Sequence, residues 1–195
     1  MSNILVQQLS QFTSVSSEEA LAIEASFPIR QYNKNDFLLS EGQIAKDAYL
    51  LIEGCVRKYA LNDGEELTTE FYIEGDSVAD HYSLANQIPS NHFYVCVENS
   101  TVAVVNADKE TALYKKIPRF EAICRVEFEK MMAATMEEKA SFAQKDPEAK
   151  YLHLLHEKPT LLNRVPEYQI ASYLGIKPET LSRIRKRITL KQLFV

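Results

Sequence analysis

Long apolar stretches, a basic amino-terminal leader and paired cysteines are all missing from this sequence, and each absence removes a class of protein. No apolar run approaches the roughly eighteen residues that a membrane-spanning helix needs, and the opening MSNILVQQLSQF lacks the basic start of a secretory leader. The sequence therefore predicts a cytoplasmic protein with no membrane partner. Three cysteines, Cys55, Cys96 and Cys124, stand apart without CxxC spacing, so neither a disulfide framework nor a zinc site is implied. They are read as buried thiols. The four histidines, His81, His92, His153 and His156, show no metal or haem spacing, and no cofactor or metal is expected. Glycine is scarce as well: Gly42, Gly54, Gly64 and Gly75 border β-prone runs, which leaves Gly175 alone near the carboxyl end.

What is present is an uneven distribution of charge. The net charge of −5 argues against a nucleic-acid partner, but residues 146–195 hold nine Lys or Arg against five Asp or Glu, and residues 1–145 hold thirteen against twenty-two. Such asymmetry fits a basic reader joined to an acidic body, and a solvated basic helix fits it equally. At 195 residues the chain is long enough for two small domains, or one large one, around a real core.

From about Ile29 to Val105, short β-prone runs alternate with turn signals, the pattern of an antiparallel sandwich or barrel. Asn62, Asp63 and Gly64 form a strong hairpin signal, because these residues tolerate positive φ. After Pro118 the period becomes helical and runs without Gly or Pro to Asp146. Phe120, Cys124, Phe128, Met131, Thr135 and Phe142 fall on one stripe, expected to face the β body. Ala122, Val126, Ala133, Met136 and Ala140 form a second stripe almost opposite, stepping by four and three as in a helix that pairs with another helix. The pattern predicts a homodimer, with burial of the helix inside one subunit as the alternative. Asp146 and Pro147 read as a cap and first position of a further helix.

The segment PEYQIASYLGIKPETLSRIRKRI, residues 166–188, lays out as two helices joined by a tight turn. Ile170, Ala171 and Leu174 face inward, Gly175 supplies a left-handed end, Ile176 plugs the turn, and Pro178 starts a second helix whose Leu181, Ile184 and Ile188 point back. This is helix-turn-helix spacing. Glu179, Thr180, Ser182, Arg183, Lys186 and Arg187 remain outside, and with Gln169 of the first helix they are the candidate DNA-binding residues. Arg183 suits a bidentate contact with guanine and Glu179 an acceptance from cytosine. Thr180, Ser182, Lys186 and Arg187 suit phosphates.

On these residues, on YNKNDFLLSEGQIAKDAYLLIEGCVRKY followed by FYIEGDSVADHYSL, and on ETLSRI, the sequence resembles the Crp-Fnr family of bacterial transcription regulators over nearly its whole length, most closely a branch common in Bacteroidetes. The resemblance implies an α+β fold: a β-roll sensor like a cyclic-nucleotide-binding domain over 1–117, a dimerisation helix over 118–144, and a helix-turn-helix domain over 145–195. It also implies double-stranded DNA as partner, read as an inverted repeat through the helix 178–188, with Glu179 and Arg183 at the base-reading positions.

Two departures from the family stand out. Where nucleotide-binding members carry a Gly-Glu pair and then an Arg-Ser or Arg-Thr pair, this chain has Ala79 and Asp80, then Ser90 and Asn91, so cyclic AMP is not expected. These four positions mark the candidate ligand pocket for an unidentified small-molecule effector. The family's β-hairpin wing is expected to be lacking, and LKQLFV is read as capping the domain core through Leu190, Leu193 and Phe194. The function expected is a regulator and not an enzyme. An assembly module with a degenerate helix-turn-helix is the alternative, and a cupin-like metalloenzyme, for which the histidines are not clustered, a more distant one.

Overall fold

The computed structural model describes residues 4–193. Two short helices, α1 (Ile4–Ser10) and α2 (Ser17–Ser26), precede the strands. α2 begins with a reciprocal cap, in which the Glu19 amide donates to Ser16 Oγ at 3.2 Å and the Ser16 amide donates to Glu19 Oε2 at 2.8 Å. The strands are β1 (Ile29–Tyr32), β2 (Phe37–Leu39), β3 (Asp47–Glu53), β4 (Val56–Asn62), β5 (Glu65–Tyr72), β6 (Ser77–Val78), β7 (Phe93–Cys96) and β8 (Ser100–Asn106). A short helix α3 (His81–Asn86) lies between β6 and β7. The strands form two antiparallel sheets in the orders β1-β8-β3-β6 and β2-β7-β4-β5, the antiparallel pairing that the alternating runs predict and the roll that the family resemblance implies.

Strand period two decides what this roll encloses and what it offers outward. Leu51, Val56, Val78, Tyr94, Cys96 and Val102 point inward and are buried together. Their neighbours Cys55, Phe71 and Val97 point outward from the second sheet, yet they are buried too, because the carboxyl-terminal helices cover them. The β4–β5 hairpin turns through Asp63 (φ 51) and Gly64 (φ 84), the two left-handed residues that a two-residue hairpin requires.

Helix α4 (Ala107–Lys116) leads into the long helix α5 (Pro118–Gln144), whose bounds are those expected from Pro118 and the Asp146-Pro147 cap. Phe120 joins Ile23, Phe27 and Leu113 in a separate core against the amino-terminal helices. The body-facing stripe needs correction in its middle. Phe120 is buried and Cys124, Thr135 and Phe142 are half-buried, but Phe128 is 45% and Met131 38% exposed. The ends of α5 are the parts packed into a core, Phe120 on α4 and Phe142 on the carboxyl-terminal helices, so its centre is more open. The ring of Phe128 lies 5.5 Å from that of His81 on α3.

Three further helices complete the described chain: α6 (Pro147–Glu157), α7 (Glu167–Leu174) and α8 (Pro178–Leu193), with a 3-10 turn at Leu161–Asn163. α8 runs five residues past the expected end at Ile188, since neither Gly nor Pro interrupts it. Leu190 does not cap the domain core; it is 47% exposed, because two residues beyond Ile188 the helix has turned about 200° from its buried face. The side chain of Leu193, and Phe194, lie outside the described residues. Among the described residues no strand follows α8, and no helix is long and apolar enough to cross a membrane.

Candidate nucleic-acid interface

α6 starts where the sequence says it does: Asp146 Oδ1 accepts from the Ala149 amide at 2.8 Å and Pro147 occupies the first turn. Its Tyr151 and Leu154 pack under α7 and α8. α7 ends at Gly175 (φ 70, ψ 33), where the Gly175 amide donates to Ser172 O and the Ile176 amide to Ala171 O, both at 3.0 Å. A side chain at 175 would meet no atom within 4 Å, so glycine is needed for its φ alone; an L-residue there costs about 1–2 kcal/mol. The turn lets Ala171, which has no exposed surface, sit under the crossing of the two helices beside Ile170, Leu174, Leu181, Ile184 and Ile188.

With Leu181, Ile184 and Ile188 turned inward, helical period puts Glu179, Ser182, Arg183 and Lys186 together on the opposite, solvent face. Thr180 is half-buried at its margin. Arg183 lies back along its own helix, donating to Glu179 O at 3.3 Å and Thr180 Oγ1 at 3.4 Å. These long bonds leave the guanidinium easily redirected. Arg187 is exposed but ion-paired with Glu148 of α6, across a cleft of about 390 Å³ that Thr180 and Arg183 also line. Arg185, on the inner side, pairs with Glu167.

Gln169 stands apart from this set. It is 8% exposed, its Nε2 donates to Tyr168 Oη at 3.2 Å, and its Oε1 is buried without a partner. One residue before Ile170 on a helix of eight, it falls on the packed side, so it is not on the surface that carries the other six.

The candidate ligand positions are also placed differently from the expectation of an open pocket. Ser90 is buried, and its hydroxyl donates to Asp80 Oδ2 at 2.6 Å; the Ser83 amide donates to Asp80 Oδ1 at 3.0 Å. Burial alone would raise the Asp80 carboxyl, but these two bonds and the Lys58 ammonium hold it below its ordinary value. Tyr94 Oη donates to Ala79 O at 3.3 Å, and the cavity that Ala79, Asp80, Val78, Tyr94, Tyr49 and Leu39 line measures about 20 Å³. That is room for about one water, against the ~300 Å³ or more of a small-molecule site. Asn91 lies exposed beyond Ser90. Among the described residues no group of three His, Cys, Asp or Glu side chains could hold a metal ion.

Side chains that the linear sequence did not single out join the helical unit to the roll. Arg164, between α6 and α7, donates to Glu74 Oε1 and Oε2 at 2.7 and 2.8 Å, to Glu98 Oε1 from Nε at 2.9 Å, and to Gly54 O at 2.5 Å. Lys158 donates to Phe71 O at 2.6 Å and Asp76 Oδ2 at 2.7 Å. Ser172 Oγ accepts from the Thr68 amide at 2.9 Å and donates to Glu66 O at 3.1 Å.

Residues 29–116 match the cyclic nucleotide-binding domain family. No curated protein matches the sequence. Among solved structures, FixK2 from Bradyrhizobium japonicum is similar with a TM-score of 0.67 and 18% identity, covering 85% of this chain and 86% of its own. The c-di-GMP responsive global regulator CLP from Xanthomonas campestris gives 0.64 and 18%, covering 91% and 94%. The Thermus thermophilus catabolite activator protein gives 0.50 and 19%, covering 93% and 87%. At these identities the likeness is one of fold.

Proposed function

We propose that this chain, which has the fold of the Crp-Fnr regulators, is itself a DNA-binding transcription regulator that acts as a homodimer. Residues 1–117 are its sensor unit, 118–144 its dimerisation helix and 145–195 its reading head. The observation that carries the reading is the face of α8. Four polar or charged side chains, Glu179, Ser182, Arg183 and Lys186, are exposed on the second helix of a helix pair whose turn and inner face suit a helix-turn-helix.

Dimerisation has its own support. Ala122, Val126, Ala133, Met136 and Ala140 are all exposed on α5, with Met136 at 65%. An apolar stripe of heptad spacing on an otherwise solvated helix suits a second copy of the same helix. Two reading heads related by a two-fold axis call for an inverted repeat with half-site centres about 34 Å apart. The chain works by binding and not by catalysis. An effector, where one acts, needs more room than the cavity of about 20 Å³ beside Ala79 and Asp80 gives.

Fluorescence anisotropy with duplex DNA across a salt series tests the reading. A reader loses affinity steeply with salt, the slope rising with the number of phosphates it meets. Absence of binding at low salt would favour an assembly module instead, a reading to which the pairing of Arg185 and Arg187 with carboxylates lends some support.

A further inference from the structure

Arg164 gathers three separate turns of the roll onto one guanidinium. Gly54 comes from the β3–β4 turn, Glu74 from the β5–β6 turn and Glu98 from the β7–β8 turn, and all are within hydrogen-bond distance of it. The site is rigid on the roll side. The Gly54 amide donates to Glu74 Oε1 at 2.9 Å, and a Cβ on Gly54 would stand 2.3 Å from Ser100 Oγ, so that turn has one way to close. It is rigid on the helical side as well, because Leu161 and Val165, flanking Arg164, are buried in the core shared with Cys55, Phe71 and Val97.

The apolar core and the ionic site do different things. Packing of Leu161 and Val165 on Phe71 and Val97 favours contact without fixing a rotation, since the hydrophobic effect is non-directional. A guanidinium fork with its donors assigned to a carboxylate on either side and a carbonyl permits one orientation. The Arg164 side chain is 17% exposed but its partners Glu74 and Glu98 are 42% and 34% exposed, and ion pairs so open to solvent are a weak source of net stability. Their use is geometric. Lys158 on Phe71 O and Asp76, and Ser172 on the β5 backbone, tie the same two bodies at points to either side of Arg164 along the helical unit.

We infer that Arg164 is the positioning residue that sets the angle of the reading head on the roll, and through it the distance between the two recognition helices of the dimer. The second half of this statement rests on the regulator reading. In a bivalent complex, a loosened head lowers the effective concentration of the second half-site without touching the bases read by the first.

The test compares wild type with Arg164→Met, which keeps length and apolar stem, and Arg164→Lys, which keeps charge but not the fork. Two readouts are used. Hydrogen exchange follows the Thr68 amide, bonded to Ser172, and the Gly54 amide, bonded to Glu74; both variants should exchange about tenfold faster there while the amides inside the roll keep their wild-type rates. Binding to inverted repeats whose half-sites are moved apart one base pair at a time should show a sharp optimum for wild type. For the variants, affinity at that optimum should fall about tenfold and the profile broaden, with the half-site sequence preference unchanged. If Arg164→Met does not yield folded protein, Glu98→Gln, which leaves the Glu74 pair in place, takes its part. Wild-type exchange rates in the variant overturn the positioning role. Faster exchange with an unchanged spacing profile overturns its link to operator geometry. A wild-type protein that selects no inverted repeat removes the regulator reading and that link together, and leaves the positioning role to be decided by exchange.

Discussion

The Ser90 hydroxyl donates to Asp80 at 2.6 Å, and this bond joins the two positions at which the family resemblance implies an arginine and a glutamate in nucleotide-binding members. The site is thus closed on itself by a serine and an aspartate where a ligand's charge would need an arginine. Cyclic AMP and cyclic GMP should leave thermal stability unchanged. A ligand at a hundred times its dissociation constant would add about 2.7 kcal/mol, enough to move the midpoint by several degrees. A shift of that size with either nucleotide in differential scanning fluorimetry would show that the Ser90–Asp80 bond opens to admit it.

The Arg164 site predicts a pH dependence. Bonding to the Arg164 guanidinium holds the Glu74 carboxyl down at about 2, against an ordinary 4.5. A depressed carboxyl contributes stability that is fully present above the ordinary value and is lost as pH falls through the folded one. The contribution of Glu74 should therefore be constant above about pH 5 and vanish progressively toward pH 2. Because Glu74 is partly solvated, screening reduces it to about 1 kcal/mol. Urea denaturation of wild type and Glu74→Gln at pH 6 and pH 3 would measure it. A gap between the two proteins that does not narrow at pH 3 would contradict the assignment.

How much of this was legible in the sequence depends on the range of each interaction. Gly175, Pro178 and the inward spacing from Ile170 to Ile188 are local constraints, so the helix pair could be read directly. Asn62-Asp63-Gly64 and Asp146-Pro147 marked a turn and a helix start for the same reason. The amino-terminal helix α2 carries a readable local signal too, the Ser16-x-x-Glu19 cap. Arg164 and Ser172 were not legible, because their partners lie 66 to 110 residues away in sequence and a single polar side chain has no period. The placement of Gln169 was not legible for a related reason: its burial depends on what packs over α7. Phe128 and Met131 lie on the correct stripe of α5, but whether that stripe is covered along its whole length depends on where the roll ends.

The exposed stripe of α5 gives the third prediction. Ala133→Glu places a carboxylate near the two-fold axis against its own copy, while in the single chain the position is open to solvent and should tolerate the change. Light scattering at micromolar concentration should report a dimer for wild type and a monomer for the variant, with unchanged circular dichroism. A variant that remains dimeric would move the interface off this stripe.

Glu148 restrains Arg187 in the free protein. Replacing it with Gln removes a negative charge beside the cleft and releases a cation toward the phosphates. An exposed pair is worth at most about 1 kcal/mol, so DNA affinity should rise by up to about fivefold. The salt slope should steepen by about one phosphate contact. Anisotropy titrations of the two proteins at matched salt would decide, and equal affinities would mean that Arg187 does not face the DNA.

Arg183 and Lys186 occupy the same exposed face of α8 one turn apart, yet they are assigned different work. On the proposed reading Arg183, nearer the amino end of the helix, would reach base edges, exchanging its long bonds to Glu179 O and Thr180 Oγ1 for a bidentate contact with guanine. Arg183→Ala should cost about 1–3 kcal/mol on the best operator and relax selection at one base pair per half-site. On the proposed reading Lys186, further along, would meet phosphates, so Lys186→Ala should weaken every sequence alike and flatten the salt slope by about one contact. Selection from a random duplex library with wild type and both variants separates the two roles, since total charge changes equally in each. A motif that survives Arg183→Ala unchanged would make Arg183 a second phosphate contact and leave Glu179 as the candidate base reader on this helix.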